Sequence, residues 1–475
     1  PPCPTSRAMP TVPSLLACLV LASGLTAAAQ TVVVAPGDVL FEAGARGGEV
    51  GFAADLVALG DLDGDGVGDL AVAIPQVRAL PGGGPGRVRV TSGADGSTLF
   101  ELVGRFDGEA FGTALCRVGD QDGDGVDDLV VGAPRDDVLA INGGALRLHS
   151  GRDGAPLTHP VPPVARGQTP PEPEPIEWPG AEPFGRLGAC VVSLPDLDGD
   201  GLADLAASAP SDPDLSFEPG YVVVCTADGL EPLLEIWGED RDEAFGAALV
   251  TVPDLDDDGT PELAIGAPTA MVKGGAGGRV VIVSPRSART LLVIEGEAGE
   301  RFGSALARVP DLDGDGLDDL LVGAPGASSR DGTEVGAAHV VSLRKGKRLL
   351  TVTGDVARDR LGSAVASAGD VDGDGVPDLA LGAPGSDAGA FDGGRVVVAR
   401  GTDGRAVLTI DGDVPGMRLG RSLLGLGDVG DDGFDDLAVG IHARPDRAAA
   451  LGAVRAYAGR EPVVEEEAQE RGGRR

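Results

Sequence analysis

Asp61, Asp63, Asp65 and Asp69 stand at positions 1, 3, 5 and 9 of a nine-residue stretch, with Gly66 at position 6. A loop of that length turns four carboxylates toward one point, and the glycine permits the bend. Four like charges held together without a cation repel one another at a cost of several kcal/mol. The pattern therefore reads as a site for a hard cation of the calcium type, which takes about six to eight oxygens, the backbone carbonyl of position 7 (here Val67) adding one. The pattern returns with Asp120, Asp122, Asp124, Val126 and Asp128, and again with Asp196, Asp198, Asp200, Leu202 and Asp204. In the fourth copy Glu262 replaces the last aspartate beside Asp254, Asp256, Asp258 and Thr260, and its longer arm still reaches. Asp311, Asp313, Asp315, Leu317 and Asp319 form the fifth, and Asp370, Asp372, Asp374, Val376 and Asp378 the sixth. The seventh departs: Asp428, Asp432, Phe434 and Asp436 keep their places, but Gly430 occupies position 3, so this site is expected to be the weakest, or to recruit a water or Asp431. A helical EF-hand would need an acid at position 12, where this chain has Val72, Val131, Ala207, Ile265, Val322, Leu381 and Val439.

The copies begin 59, 76, 58, 57, 59 and 58 residues apart, and the one stretched interval contains a proline-rich segment, residues 160–183. Two landmarks keep phase with the acidic loop. Nine residues before it stands Phe52, Phe111, Leu187, Phe245, Phe302, Leu361 or Leu419, followed by Gly in six cases; twelve after it begins Gly-Ala-Pro or a variant, as at Gly323-Ala324-Pro325. Within the fifth copy four short apolar runs, Phe302–Val309, Leu320–Gly323, Ala338–Leu343 and Leu349–Thr353, are separated by turn residues. Four antiparallel strands per repeat make a propeller blade. The expected fold is all-β, a seven-bladed propeller over residues 39–459. The last copy lacks a fourth strand before the charged tail at 460–475, and the run Val39–Ala43 is expected to supply it and close the ring.

These three landmarks are those of the FG-GAP repeat, and the chain resembles the propeller of integrin α-subunits and bacterial secreted proteins built from the same repeat. The resemblance covers nearly all of residues 39–459. It implies calcium in a structural role in each blade, about seven ions in all, and ligand binding on the face made by the 2-3 and 4-1 loops. That face is expected to receive an extracellular protein or glycan. The 160–183 segment, read as an insert between blades two and three, carries Trp178 and is followed by Phe184. It reads equally as an exposed recognition loop or as a passive insertion.

Composition narrows the function. A net charge of −37 excludes nucleic acid and anionic membranes as partners, since phosphate contacts need clustered Lys and Arg. Leu15–Leu25 is too short to span a bilayer and precedes Ala27-Ala28-Ala29, so residues 1–29 read as a signal peptide and the protein as secreted, cell-surface or periplasmic, without a membrane span. Cys116, Cys190 and Cys225 read as unpaired, small buried side chains; Cys190 and Cys225 should lie on the first and third strands of one blade, roughly 10 Å apart, beyond the ~7 Å a disulfide tolerates. Of four histidines, His149 and His339 fall on third strands, and no nucleophile motif accompanies them. The chain therefore reads as an adhesion or interaction module and not an enzyme. The alternative is a carbohydrate-active propeller such as a polysaccharide lyase, which the scarcity of Trp and Tyr, two of each, disfavours.

Overall fold

A computed structural model describes residues 32–33, 39–45, 51–76, 84–159, 171–212, 215–216, 218–442 and 452–459. The expected leader at 1–29 and the tail at 460–475 lie outside the described residues. Seven sheets follow one another along the chain, each built from four antiparallel strands. The fifth blade is representative: Ala305–Val309, Asp319–Ala324, Ala337–Ser342 and Lys347–Thr353, close to the runs read from the sequence. The second and third strands of that blade are buried along their whole length, whereas the outer strand alternates between exposed and half-buried positions. Strands covered on both faces need continuous apolar runs, and those with one wet face alternate.

Seven apolar clusters make the core, and each lies between two neighbouring blades. One joins Val252, Ala264 and Ile282 of blade four to Leu320, Val322 and Val341 of blade five. The cluster between the last blade and the first contains Val454 and Ala456 with Phe52, Leu70 and Val72. Each blade is thus stabilised by its neighbours, and a single blade would leave two apolar faces in water.

The in-phase glycines set how closely blades approach. A Cβ on Gly323 would stand 2.1 Å from the carbonyl oxygen of Gly362 in the next blade. Gly132, Gly266 and Gly382 meet Gly188, Gly303 and Gly420 in the same way, at 2.0–2.1 Å. Within blades two, four, five and six the glycine after the landmark residue also donates its N–H to the glycine of the second strand, as Gly303 does to the Gly323 carbonyl. The phenylalanine or leucine of each repeat therefore belongs as much to the preceding blade as to its own. A further series, not singled out as an interface in the sequence, starts each third strand: Gly86, Gly144, Gly220, Gly278, Gly336 and Gly394 would strike the backbone of Phe111, Leu187, Phe245, Phe302, Leu361 and Leu419, at 2.0–2.3 Å. The seventh member, Gly452, faces Phe52 of blade one, where an added Cβ would lie 2.5 Å from the Phe52 Cβ.

Ring closure follows the expected route. Val39–Gly44 pairs antiparallel with Ala453–Tyr457 as the outer strand of blade seven, and Arg455 Nε donates to Glu42 at 2.6 Å across the seam. Val32–Val33 adds a short parallel strand to the edge of blade six. The 160–183 segment corrects the sequence reading, because it interrupts blade two instead of separating blades two and three. Pro156 and Thr158 make isolated bridges, and the outer strand of blade two is Glu177–Pro179, paired with Ala145–Arg147. The reason is apolar: Ile176 is buried and Trp178 packs half-buried on the core that blades two and three share, so Trp178 is not an exposed recognition side chain. Cys116, Cys190 and Cys225 are free thiols. Cys116 and Cys225 are buried in one cluster, whereas Cys190 is only half-buried, its Sγ 3.4 Å from the Ala247 carbonyl oxygen.

One charge enters the first strands where the other blades have Ala, Cys or Ser. Asp55 accepts the N–H of Leu56 in its own blade and that of Leu115 in blade two, both at 2.9 Å, and burial pushes its carboxyl up to about 6 against the lowering effect of those bonds. A folded-state pKa above the unfolded one favours folding below about pH 4 and loses that contribution as pH rises through 6. Asp55→Asn should therefore raise the melting temperature at pH 8 and leave it nearly unchanged at pH 4, measured by calorimetry in each buffer. For the glycine seats, Gly323→Ala should lower stability by roughly 1–3 kcal/mol through overpacking. Gly60→Ala, whose Cβ meets nothing within 4 Å, should be silent in the same denaturant titration.

Candidate metal centres

The seven acidic loops join the first and second strands of their blades and share one hydrogen-bond scheme. The carboxylate of position 1 accepts the N–H of the position-6 glycine, from Gly66 on Asp61 to Gly433 on Asp428, at 2.7–2.9 Å throughout. The carboxylate of position 9 reaches back to the N–H of position 2 in all seven, at 2.7–3.2 Å. The carboxylate of position 5 takes the N–H of position 7, as Asp65 does from Val67 and Asp432 from Phe434. The backbone donors that a nine-residue turn would otherwise leave unpaired thus fix the acids, position 1 through both oxygens in most loops, as Gly64, Asp65 and Gly66 hold Asp61, and acceptor capacity is left over on the carboxylates.

What remains converges. Carboxylate oxygens of Asp61, Asp63 and Asp69 lie within 4.8 Å of one another, as do those of Asp120, Asp122 and Asp128, of Asp196, Asp198 and Asp204, and of Asp254, Asp256 and Glu262. In the fifth loop the trio is Asp311, Asp313 and Asp315. Positions 1, 3 and 9 are therefore brought together more consistently than position 5. Position 5 also answers to the hairpin between strands three and four, in the fifth loop while remaining in the cluster: Ser92 Oγ donates to Asp65 at 3.2 Å, Ser342 Oγ to Asp315 at 3.0 Å, and Arg152 Nε to Asp124 at 2.6 Å. Further hairpin cations pair with position 3, Arg289 with Asp256, Lys345 with Asp313 and Arg400 with Asp372.

Two observations fit these loops to a cation. Buried oxygens without any hydrogen-bond donor concentrate in loops four, five and six: Asp256 Oδ1, Glu262 Oε2, Asp313 Oδ1, Asp319 Oδ1, Asp370 Oδ1 and Asp378 Oδ1. A buried carboxylate oxygen left unpaired is costly, and an ion removes the cost. The position-9 acids are all driven toward protonation in the absence of an ion. Burial, reinforced by the neighbouring aspartates, pushes Asp128, Asp204 and Asp319 up to about 6 and Glu262 and Asp378 up to about 7, with Asp69 and Asp436 raised as well.

The seventh loop keeps the scheme but not the donor set. The N–H groups of Val429 and Gly430 both donate to Asp436 Oδ2 at 2.8 Å, and that of Gly459 donates to Oδ1 at 2.9 Å, so this carboxylate is satisfied by the backbone. The corresponding hairpin glycines, Gly93 and Gly151, hold Asp69 and Asp128. These hairpin partners were not identified from the sequence, although each glycine stands 23 or 24 residues after the acid it holds.

The histidines take no part. His149 and His339 lie buried on third strands, edge-on or tilted against Phe111 and Phe302, and burial lowers both to about 4. Neutral, packed imidazoles are what a strand interior requires.

Fold and loops together define a seven-bladed β-propeller with an acidic loop in every blade. The FG-GAP repeat family matches residues 245–283, 302–341 and 361–398, the fourth to sixth copies. Human integrin alpha-IIb is 35% identical over 209 residues, 41% of this chain and 19% of that protein. Integrin alpha-PS2 of Drosophila melanogaster is 32% identical over 221 residues, 44% of this chain and 14% of that protein. Integrin alpha-5 of Xenopus laevis is 33% identical over 150 residues, covering 30% and 14%. The chain thus matches less than a fifth of the length of these curated relatives. It carries FG-GAP repeats and is similar, over part of its length, to integrin α-subunits.

The damaged loop offers a direct test. A Cβ on Gly430 would meet only ordinary contacts, Asp436 Oδ2 at 3.6 Å and Leu40 Cδ2 at 3.7 Å, so an aspartate fits. Gly430→Asp should raise the tightly bound ion content by one equivalent in elemental analysis, and Asp319→Asn should lower it by one.

Proposed function

We propose that this chain is an extracellular or cell-surface interaction module, acting in adhesion, whose acidic loops hold calcium as structural ions while the opposite face binds a protein or glycan. The ion reading rests on donor chemistry: an all-oxygen, carboxylate-rich set at the end of a nine-residue turn suits a hard cation of high coordination number. The first, third, fifth and ninth positions, with the carbonyl of the seventh, would be its ligands in six loops, and Asp428, Asp432 and Asp436 with the Phe434 carbonyl in the weaker seventh. Each ion would then neutralise two charges of a ring that otherwise repels itself.

The observation that carries the binding-face reading is an asymmetry of exposed apolar side chains. Strands alternate direction, so the acidic loops and the 3-4 hairpins share one face, and the 2-3 and 4-1 loops the other. Among the described residues no large exposed apolar side chain lies in the acidic loops or hairpins. Val138, Leu139 and Ile141 of blade two, Leu215 of blade three, Met271 of blade four and Phe391 of blade six all stand exposed on 2-3 loops. Apolar loop tips that the fold does not need, gathered on one face, are characteristic of a recognition surface. The lyase alternative draws no comparable support: Tyr221 and Tyr457 are buried within blades three and seven, and arginine stays protonated and supplies no base.

A screen of extracellular-matrix proteins and glycans, with calcium and with chelator, should show binding that chelation abolishes. Replacing Val138, Leu139 and Ile141 together by Ser should reduce that binding by tenfold or more at unchanged melting temperature. Absence of calcium-dependent binding to any probe would overturn the adhesion reading. Release of unsaturated products from a uronate polysaccharide would establish the enzyme instead.

A further inference from the structure

The recognition face has a basic centre. A cavity of about 710 Å³ is lined by Arg358 and Arg360, on the segment leading into blade six, and by Arg418 and Arg421, at the start of blade seven. Ala54, Ala189 and Ala247, each two residues beyond the landmark Phe or Leu of blades one, three and four, share its wall. Residues at that position in widely separated blades meet only around the ring axis, so the cavity is the mouth of the central channel on the 2-3 and 4-1 side. Two carboxylates, Asp387 and Asp392, stand on the wall, against four guanidinium groups. The cavity is therefore positive in a chain of net charge −37.

Among the described residues nothing consumes these cations. The arginines beneath the neighbouring blades are committed: Arg147 to Glu109 and Asp136, Arg279 to Glu239 and Glu243, Arg395 to Asp411. Among the described residues Arg358, Arg360, Arg418 and Arg421 have no carboxylate within ion-pairing distance. Their backbone is also strained. Arg358, Arg360 and Arg418 have φ of 68°, 58° and 50°, in the left-handed region, whereas blade one uses Gly51 at the place of Arg360 and Arg418. A non-glycine residue there costs roughly 1–2 kcal/mol. Partial desolvation by the surrounding chain and the charge of Arg418 lower Arg421 from its ordinary value, so the cluster is mutually repelling as it stands.

We propose that the channel mouth is a receptor for an acidic peptide segment of a protein partner, seating at least two side-chain carboxylates on Arg358, Arg360, Arg418 and Arg421. The arginine fork matches a carboxylate with two parallel hydrogen bonds. A peptide is favoured over an acidic polysaccharide because the cavity is confined to the axis and is not an extended groove, and it holds neither Trp nor Tyr for a sugar ring to stack on. The apolar loop tips around it supply the surround that a protein interface needs. The overall negative charge does not forbid this: beyond about 8 Å at physiological salt the distant acidic loops are largely screened, and the local guanidinium groups dominate at contact. This inference rests on the reading of this face as the binding face.

The test uses the whole chain with calcium and a fluorescein-labelled peptide containing Asp-Glu-Asp-Glu, beside its Asn-Gln-Asn-Gln counterpart and a sulfated uronate oligosaccharide, in fluorescence polarisation. The acidic peptide should bind, the amide counterpart should not, and affinity should fall as salt is raised. Arg360→Gln with Arg418→Gln should weaken binding by tenfold or more, while Arg301→Gln, at the same backbone position in blade five but outside the cavity, should leave it unchanged. Should that pair lower the melting temperature, Arg358→Gln with Arg421→Gln replaces it with the same expectation. No binding of the acidic peptide, equal binding by the arginine variants, or preference for the oligosaccharide would each overturn the proposal. Matrix binding that the loop-tip serines abolish but the arginine pair does not would overturn the channel-mouth proposal alone and leave the binding face standing.

Discussion

Backbone touching backbone between adjacent blades is the constraint on which this ring depends. The Gly323 Cα and the Gly362 carbonyl approach so closely that a single added carbon would fall well inside contact distance. The same approach recurs around the circle, so the wedge angle of each blade is set by where side chains are missing. The small apolar residues of the second and third strands follow from it. With the sheets drawn together at their inner ends, Ala and Val fill most of the space between them, and the largest fully buried side chains, Phe52, Phe111 and Phe302, stand at landmark positions. This is why a chain with so few aromatic residues still has a continuous core at every interface.

Electrostatics divides the two faces. On one, carboxylates are tethered to the backbone of the turn and converge, and hairpin serines, glycines and basic side chains hold the arrangement from the side. On the other, the connections are long and variable in sequence, the exposed apolar residues collect, and the axis is lined by arginine. A propeller allows this separation because all 1-2 and 3-4 connections leave a sheet on one edge and all 2-3 and 4-1 connections on the opposite edge. Changes on one face are therefore insulated from the other by the depth of the blades.

Most of the fold was legible because the repeat is strong: three landmarks in phase over seven copies located the strands, the acidic turns and the seam at Val39. What escaped reading depended on contacts between copies. Gly144 and Gly394 look like ordinary loop ends in the sequence, and only the ring shows them beneath Leu187 and Leu419. Glu177–Pro179 escaped because proline-rich composition signals a loop, whereas burial of Ile176 and Trp178 decides the pairing. In the acidic loops the ninth position was read as converging with the first and third, and their carboxylate oxygens lie within 4.8 Å of one another in the first four loops; the fifth was read as an equivalent ligand, and it also answers to the adjacent hairpin. The arginine cluster had no local signature, since its members come from segments some 60 residues apart.

The seam between Val39–Gly44 and Ala453–Tyr457 makes the two ends of the domain partners in one sheet. During synthesis the third strand of blade seven emerges after the other six blades, so the ring has an open flank until that strand has been made. Its contacts are among the most distant in sequence that the molecule makes, and such pairings are slow to form because a long loop must close first. Closure at the seam therefore acts as a check on the ring: a chain cut short of Ala453–Tyr457 exposes the apolar flanks of its first and last blades together, and only a chain that holds both strands of the seam can hide them.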